Sequence, residues 1–141
     1  MAETKVGIVG LGTVGTGVAR LLREHAERLE RQAGRRVVLE HVVVRDLARP
    51  RDIELPKSMI SDDLTRITKN PDIRVVALLV GGLEPARTMA LQLLDSGKDL
   101  VTANKALLAE HGTELFDRAR ELGRSIAFEA AVAGGIPIIT N

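Results

Sequence analysis

The sequence predicts an α/β fold in which helices cover both faces of a doubly wound, mostly parallel sheet. Short apolar runs alternate with longer amphipathic runs, and glycines interrupt the chain directly after the apolar runs. The length of 141 residues fits one domain, since a domain of this size buries roughly 68–70% of its unfolded surface. We therefore expect residues 1–141 to form a single domain with a sheet of about five strands.

The apolar runs and helical spacings predict the elements in order. Residues 5–9 predict the first strand, and residues 13–29 one long helix. Residues 37–44 predict the second strand, and Ser61 is suited to be the N-cap of a short helix. A buried strand follows at 74–80, a helix begins near Pro85, and a short strand spans 99–102. Two helical runs, 105–110 and 113–122, and a strand at 124–129 complete the pattern.

Composition limits the possible partners. With 20 basic and 19 acidic residues the net charge is +1, so no overall field attracts nucleic acid or a membrane surface. The near absence of aromatic residues argues against base-stacking modules. No run approaches the ~20 apolar residues of a membrane span, and the lack of cysteine suits a reducing compartment. These observations predict a soluble, cytoplasmic protein.

A glycine-rich turn between the first strand and the first helix carries the clearest chemistry. Gly10, Gly12 and Gly15 form the pattern G-x-G-x-x-G. In this context the first glycine permits a tight turn, the second admits a pyrophosphate, and the third lets helix and strand pack closely. The helix N-terminus also favours phosphate. The pattern predicts a Rossmann-type dinucleotide site at this turn.

Charged residues beyond other strands extend this site. An Arg at the end of the second strand accommodates the 2′-phosphate of NADP, whereas an acid binds the 2′-hydroxyl of NAD. Arg45 therefore favours NADP, while Asp46 keeps NAD possible, and Lys57 is a further candidate for the phosphate. Lys105 follows the strand at 99–102, where it could anchor the cofactor or donate a proton as the candidate catalytic residue.

The three histidines share no ligand spacing, and we interpret them as structural or surface residues. They are His25, His41 and His111.

Three segments together resemble homoserine dehydrogenases. They are Gly-Leu-Gly-Thr-Val-Gly-Thr-Gly at 10–17, Val-Thr-Ala-Asn-Lys-Ala-Leu-Leu-Ala at 101–109, and Phe-Glu-Ala-Ala-Val-Ala-Gly-Gly-Ile-Pro-Ile-Ile at 128–139. The resemblance covers essentially the whole chain. It implies an oxidoreductase of threonine and methionine biosynthesis that interconverts L-homoserine and L-aspartate 4-semialdehyde with NADP or NAD.

The same resemblance implies roles for particular positions. The turn from Leu11 through Gly12, Thr13 and Val14 to Gly15 would hold the pyrophosphate. Arg45 would hold the adenosine end, Gly81 and Gly82 would lie on the adenine-ribose side of the cofactor, and Lys105 would lie by its nicotinamide half. A monovalent cation such as sodium would bind the Glu129 carboxylate and the carbonyl groups of three further residues. Those residues are Val132, Gly134 and Ile136.

The resemblance also implies a separate substrate and dimerisation domain after residue 141, which would supply the substrate-binding acids and the proton-donating lysine. We accordingly expect the 141-residue chain alone to be inactive and the longer protein to be a homo-oligomer. Two alternatives stay open from the sequence. One is a dinucleotide-sensing module without catalysis, and the other is a different NAD(P)-dependent dehydrogenase of amino or keto acids.

Overall fold

A single parallel sheet organises the chain. The structure is a computed structural model that describes residues 3–128. Within them six strands pair in the order β3-β2-β1-β4-β5-β6, and every ladder is parallel. This is the strand order of the doubly wound fold, which confirms the predicted fold class. The strands are β1 (Glu3–Val9), β2 (Arg36–Val43), β3 (Ile60–Ser61), β4 (Ile73–Leu78), β5 (Asp99–Thr102) and β6 (Ile126–Phe128).

Helices cover both faces of this sheet. Val18 and Leu22 pack with the β1 residue Ile8 in one buried cluster, and Leu93 and Leu115 pack with the β4 residue Val76 in the other. Two apolar layers therefore sandwich the strands, as a parallel sheet requires. The helices are α1 (Thr13–Glu24), α2 (Ala26–Ala33), α3 (Thr65–Thr68), α4 (Ala86–Asp95) and α5 (Lys105–Leu122), with one 3₁₀ turn at Lys57–Met59.

The predicted single helix over 13–29 is wrong, because two helices meet at His25. This residue leaves the helical region with φ −124° and ψ 35°, so α1 ends there and α2 begins in a new direction. The spacing of apolar residues continues from α1 into α2, so the sequence pattern gives no sign of the break at His25. Leu29 of α2 remains buried beside α1 in the same apolar cluster.

Two further sequence predictions are corrected at element ends. Ser61 lies in β3 instead of capping a helix, and the N-cap of α3 is Leu64; just before it, the Asp63 carboxylate accepts hydrogen bonds from the Thr65 N–H at 3.0 Å and hydroxyl at 2.7 Å. Helix α5 runs without a break through Gly112, which is buried. A glycine inside a helix costs only about 1 kcal/mol, and the packing of α5 on the core offsets it.

Two ionisable groups are buried away from the strand ends that carry the glycine turn. The His41 ring nitrogen Nε2 lies 2.8 Å from the Ser61 hydroxyl, and burial lowers the pKa of this histidine. The Lys98 ammonium donates to the carbonyl groups of Asn70 and Ile73, and burial likewise lowers its pKa. Both side chains hold neighbouring segments together, which agrees with the structural role predicted for His41.

Among residues 3–128, no helix combines the length and the apolar character needed to cross a membrane.

Candidate cofactor site

The turn between β1 and α1 lies at the centre of the carboxyl edge of the sheet. The Gly10 N–H donates to the Val43 carbonyl of β2 at 2.9 Å, and the Leu79 N–H donates to the Val9 carbonyl at 2.8 Å. The turn is thus fastened to the strands on both sides of β1. This position is where strand order reverses, the place at which doubly wound sheets bind ligands.

Gly10 and Gly15 make the turn possible by different means. Gly10 has φ +101°, a conformation that side chains disfavour, and an added Cβ would also lie 3.0 Å from the Leu79 carbonyl oxygen. A Cβ on Gly15 would lie 2.0 Å from the Gly10 carbonyl oxygen, which is far inside van der Waals contact. Only glycine at position 15 therefore lets α1 approach the turn this closely.

The N-terminus of α1 is open toward a ligand. Gly12 is the N-cap and supplies no side chain, and no atom lies within 4 Å of where its Cβ would be. The Thr16 N–H bonds to the Gly12 carbonyl at 2.9 Å, so the helix is formed up to its first residues. Its first N–H groups have no partner within the helix and carry partial positive charge. The space and the donors both fit a pyrophosphate.

A cleft of about 260 Å³ begins beside this helix and extends to α5. We call it the α1–α5 cleft. It brings together three residues that the sequence analysis selected, Val14, Gly81 and Lys105, although nearly a hundred positions separate the first from the last. Lys105 is exposed at the first position of α5, so its ammonium is available to a bound molecule. The other lining residues are Leu79, Val80, Ala103 and Asn104.

Asn104 positions one wall of this cleft. Its side-chain amide donates to the carbonyl groups of Val80 at 3.0 Å and Gly82 at 2.7 Å. The side-chain oxygen Oδ1 of the same amide accepts a hydrogen bond from the Leu107 N–H at 3.0 Å and so caps α5. One side chain therefore joins the segment after β4 to the helix that carries Lys105. In the sequence, an Asn before a helix is a cap signal, but nothing near Asn104 indicates that its side chain also bonds to Val80 and Gly82.

A second set of polar contacts holds the far end of the same segment. The Glu84 carboxylate accepts from the Thr88 N–H at 3.1 Å and hydroxyl at 2.9 Å, and these bonds hold the pKa of Glu84 below its usual value. Arg87 then makes a two-pronged contact with Glu114 of α5, at 2.6 and 2.5 Å. Residues 80–84 are consequently tied to Asn104 at one end and to α4 at the other, and α4 is in turn joined to α5 by Arg87.

Arg45 lies at the same edge, two residues beyond the end of β2. It is exposed, and Asp46 beside it is exposed as well. One Asp46 carboxylate oxygen accepts the Ala48 N–H at 3.0 Å, which commits it to the local turn. Lys57 is exposed at the start of the 3₁₀ turn before β3 and does not line the α1–α5 cleft. Arg45 and Lys57 are thus both accessible at this edge of the sheet, and neither lines the α1–α5 cleft.

The predicted cation ligands lie outside the described residues. They are Glu129, Val132, Gly134 and Ile136.

Fold and turn together define a class of protein. A doubly wound parallel sheet with a glycine turn, an uncapped helix N-terminus and a cleft at the switch point is a Rossmann-type dinucleotide-binding domain. The sequence belongs to a particular branch of this class, since residues 10–129 match the family described as homoserine dehydrogenase, NAD binding domain. The chain is thus a member of the homoserine dehydrogenase family.

Individual relatives agree with this placement. A homoserine dehydrogenase from Bacillus subtilis is 42% identical over 139 residues, and one from Pseudomonas aeruginosa is 46% identical over 140 residues. Each alignment covers 99% of this chain but only 32% of the relative. The chain therefore spans about a third of the length of these relatives.

Solved structures show the same similarity in three dimensions. A homoserine dehydrogenase from Thiobacillus denitrificans superposes with a TM-score of 0.81 at 38% identity, over 93% of this chain and 30% of that one. The enzyme from S. aureus gives a TM-score of 0.82 at 30% identity, over 93% and 34% of the respective chains.

The glycine turn can be tested with two alanine substitutions that separate folding from binding. Gly15→Ala forces the Cβ against the Gly10 carbonyl, so we expect the free energy of unfolding to fall by about 1–3 kcal/mol. Gly12→Ala meets no atom, so stability should stay within about 0.5 kcal/mol while the affinity for dinucleotide drops. Urea unfolding and fluorescence titration with NADPH measure the two effects. Unchanged affinity in Gly12→Ala would remove the turn as the pyrophosphate site.

The bridging role of Asn104 predicts a loss that capping does not explain. Asn104→Ser retains an N-cap oxygen but removes the donors to Val80 and Gly82, leaving the partly buried Val80 carbonyl unsatisfied at a cost of about 1–3 kcal/mol. We expect weaker dinucleotide binding by titration and faster amide hydrogen exchange in residues 80–84. Asn70→Ser is the matched control, because the Asn70 side chain only accepts a bond within a turn. Equal behaviour of the two variants would contradict the bridge.

Proposed function

We propose that this chain is the cofactor-binding part of an oxidoreductase that interconverts L-homoserine and L-aspartate 4-semialdehyde with NAD(P)(H), in threonine and methionine biosynthesis. The observation that carries the proposal is the α1–α5 cleft. In a chain of the homoserine dehydrogenase family, this cleft joins the glycine turn to Lys105. The relatives from Bacillus subtilis and Pseudomonas aeruginosa are homoserine dehydrogenases, which supports the same reaction.

The residues of the chain divide the work of binding along the cofactor. The uncapped N-terminus of α1 holds the pyrophosphate through N–H donors and its partial positive charge. Lys105, at the far end of the cleft, contributes a positive charge beside the nicotinamide half. When bound, the dinucleotide supplies the hydride chemistry. The protein supplies orientation, because Asn104 holds the cleft wall and the start of α5 in one arrangement.

We further propose that residues 1–141 form the cofactor domain and that the substrate-binding groups belong to the remaining length of the longer protein. The relatives are about three times as long as the matched segment, which supports this division. Under this proposal the 141-residue chain binds dinucleotide and turns over no substrate.

The reaction itself is tested on the longer protein that contains this chain. We expect homoserine-dependent reduction of NADP or NAD, measured at 340 nm, and at least a tenfold lower rate in Lys105→Met. Lys69→Met is the matched control, because Lys69 is exposed and lies outside the α1–α5 cleft. Dinucleotide binding without turnover of any amino or keto acid would favour the sensing module, and turnover of a different such acid would favour the other dehydrogenase class.

Cofactor choice is the second part of the proposal, and Arg45 is its basis. An exposed guanidinium just beyond β2 attracts a 2′-phosphate and does little for a 2′-hydroxyl. We expect tighter binding of NADPH than of NADH, and an Arg45→Gln variant that loses several-fold in NADPH affinity with NADH unchanged. Calorimetric titration of both cofactors measures this. Equal affinities for the two in the unmodified chain would overturn the preference.

A monovalent cation held by Glu129 is the third part, and it rests on the family likeness alone. The carbonyl groups of Val132, Gly134 and Ile136 would complete the oxygen ligands that an alkali ion prefers. We expect the longer protein to be activated by sodium chloride relative to tetramethylammonium chloride, and Glu129→Ala to abolish the difference. The same salt response in variant and parent would refute the site.

A further inference from the structure

A loop rich in arginine connects β2 to the 3₁₀ turn and is braced by its own side chains. The Arg51 guanidinium donates to the carbonyl groups of Arg49, at 2.8 Å, and Asp46, which closes residues 46–51 into a compact turn. The Arg20 guanidinium of α1 donates to the Asp52 carbonyl at 2.5 Å. The loop is therefore tied directly to the helix whose N-terminus faces the cofactor.

This bracing creates a second cleft at the carboxyl edge of the sheet. It has a volume of about 340 Å³ and begins at Leu11, the residue between the first two glycines of the turn. We call it the Leu11 cleft. Its apolar lining comes from Ile53, Leu55 and Ile60, and its charged lining from Arg49, Arg51 and Glu54.

The charges of the Leu11 cleft suit a phosphate ester. Arg49 is exposed, and neither Arg49 nor Arg51 has a carboxylate within 4.0 Å among residues 3–128. The Nε of Arg51 is buried and has no hydrogen-bond acceptor in the same part of the chain. Guanidinium groups whose charge no carboxylate neutralises bind phosphate oxygens strongly, and this holds for both arginines although Arg51 also donates to two carbonyl groups. Glu54 carries the opposite charge and would weaken such binding.

The position of the cleft identifies which phosphate reaches it. In a Rossmann-type domain the pyrophosphate lies on the α1 N-terminus, and the adenosine ribose lies toward the end of β2. The 2′ oxygen of that ribose faces the loop that follows β2. In this chain that loop presents Arg49 beside Leu11 of the glycine turn.

We propose that Arg49 binds the 2′-phosphate of the cofactor, and that Arg51 is a positioning residue that sets the place of Arg49 by bonding its carbonyl group. The proposal rests on the proposed function, since it requires the dinucleotide on the glycine turn. It assigns the cofactor preference to a braced loop in addition to the residue that follows the strand.

Two variants that each remove one charge, and that should change phosphate affinity in opposite directions, test the proposal. The probes are NADPH and NADH, together with 2′,5′-ADP and 5′-AMP, which isolate the adenosine end, and inorganic phosphate. We expect Arg49→Gln to lower the affinity for NADPH and 2′,5′-ADP about tenfold and to change the affinity for NADH and 5′-AMP by less than about twofold. Glu54→Gln should tighten the same two phosphorylated probes several-fold. Arg28→Gln on α2 is the matched control, because Arg28 is exposed and outside the Leu11 cleft.

The positioning role of Arg51 is tested by a double-mutant cycle. If Arg51 acts through Arg49, then Arg51→Gln lowers the affinity for 2′,5′-ADP in the parent chain but has little effect on that affinity in the Arg49→Gln background. Additive losses would overturn the positioning role. Should Arg51→Gln unfold the chain, the opposite responses of Arg49→Gln and Glu54→Gln still decide the phosphate assignment.

The outcomes separate this inference from the proposed function. Suppose that the parent binds NADPH and that Arg45→Gln lowers the NADPH affinity while Arg49→Gln does not. The assignment of the 2′-phosphate to Arg49 in the Leu11 cleft is then refuted, and the proposed function stands. If inorganic phosphate displaces NADH and 2′,5′-ADP equally, the cleft does not recognise the ribose phosphate, and the inference fails. If neither dinucleotide binds the parent, both proposals fail.

Discussion

The close approach of α1 to the end of β1 is the constraint on which the rest of this structure depends. A helix brings its free N–H groups to a ligand only if its first turn can lie against the turn that precedes it. Here the Gly15 position approaches the Gly10 carbonyl so closely that a single added carbon would collide with it. Because that carbonyl belongs to a turn hydrogen-bonded to β2 and to the residue after β4, the start of the helix is fixed relative to the central strands of the sheet.

The second half of the site is built by a different kind of contact. In the cleft wall after β4, Leu79 and Val80 pack against the core, but Gly81 and Gly82 are both exposed. The exposed part is held by hydrogen bonds from Asn104 at one end and, beyond Glu84, by α4, which Arg87 joins to Glu114 of α5. The glycine turn is therefore held by steric exclusion and the opposite wall by polar bridges, which makes the wall the more adjustable side.

Features that depend on local contacts could be predicted from the sequence, and those that depend on contacts between distant residues could not. The glycine spacing correctly predicted the β1–α1 turn, because backbone sterics act over a few neighbouring residues. The apolar periodicity predicted five of the six described strands, missing the two-residue β3, and most of the helices, and the family resemblance was confirmed. Periodicity failed at His25, since two helices that bury residues in one cluster keep a common apolar pattern across the break. It also failed at Gly112, where burial in the core maintains α5.

The sequence by itself determined the fold class, the dinucleotide turn and the family, because each is encoded in local spacing or in long matching segments. Only the tertiary structure decided which side chains act together. Asn104 lies more than twenty residues from the carbonyl groups it binds, and Leu11 shares a cleft with residues 38 to 49 positions later. Such pairs meet because parallel strands bring their carboxyl ends to one edge, and no local pattern specifies which loops then touch.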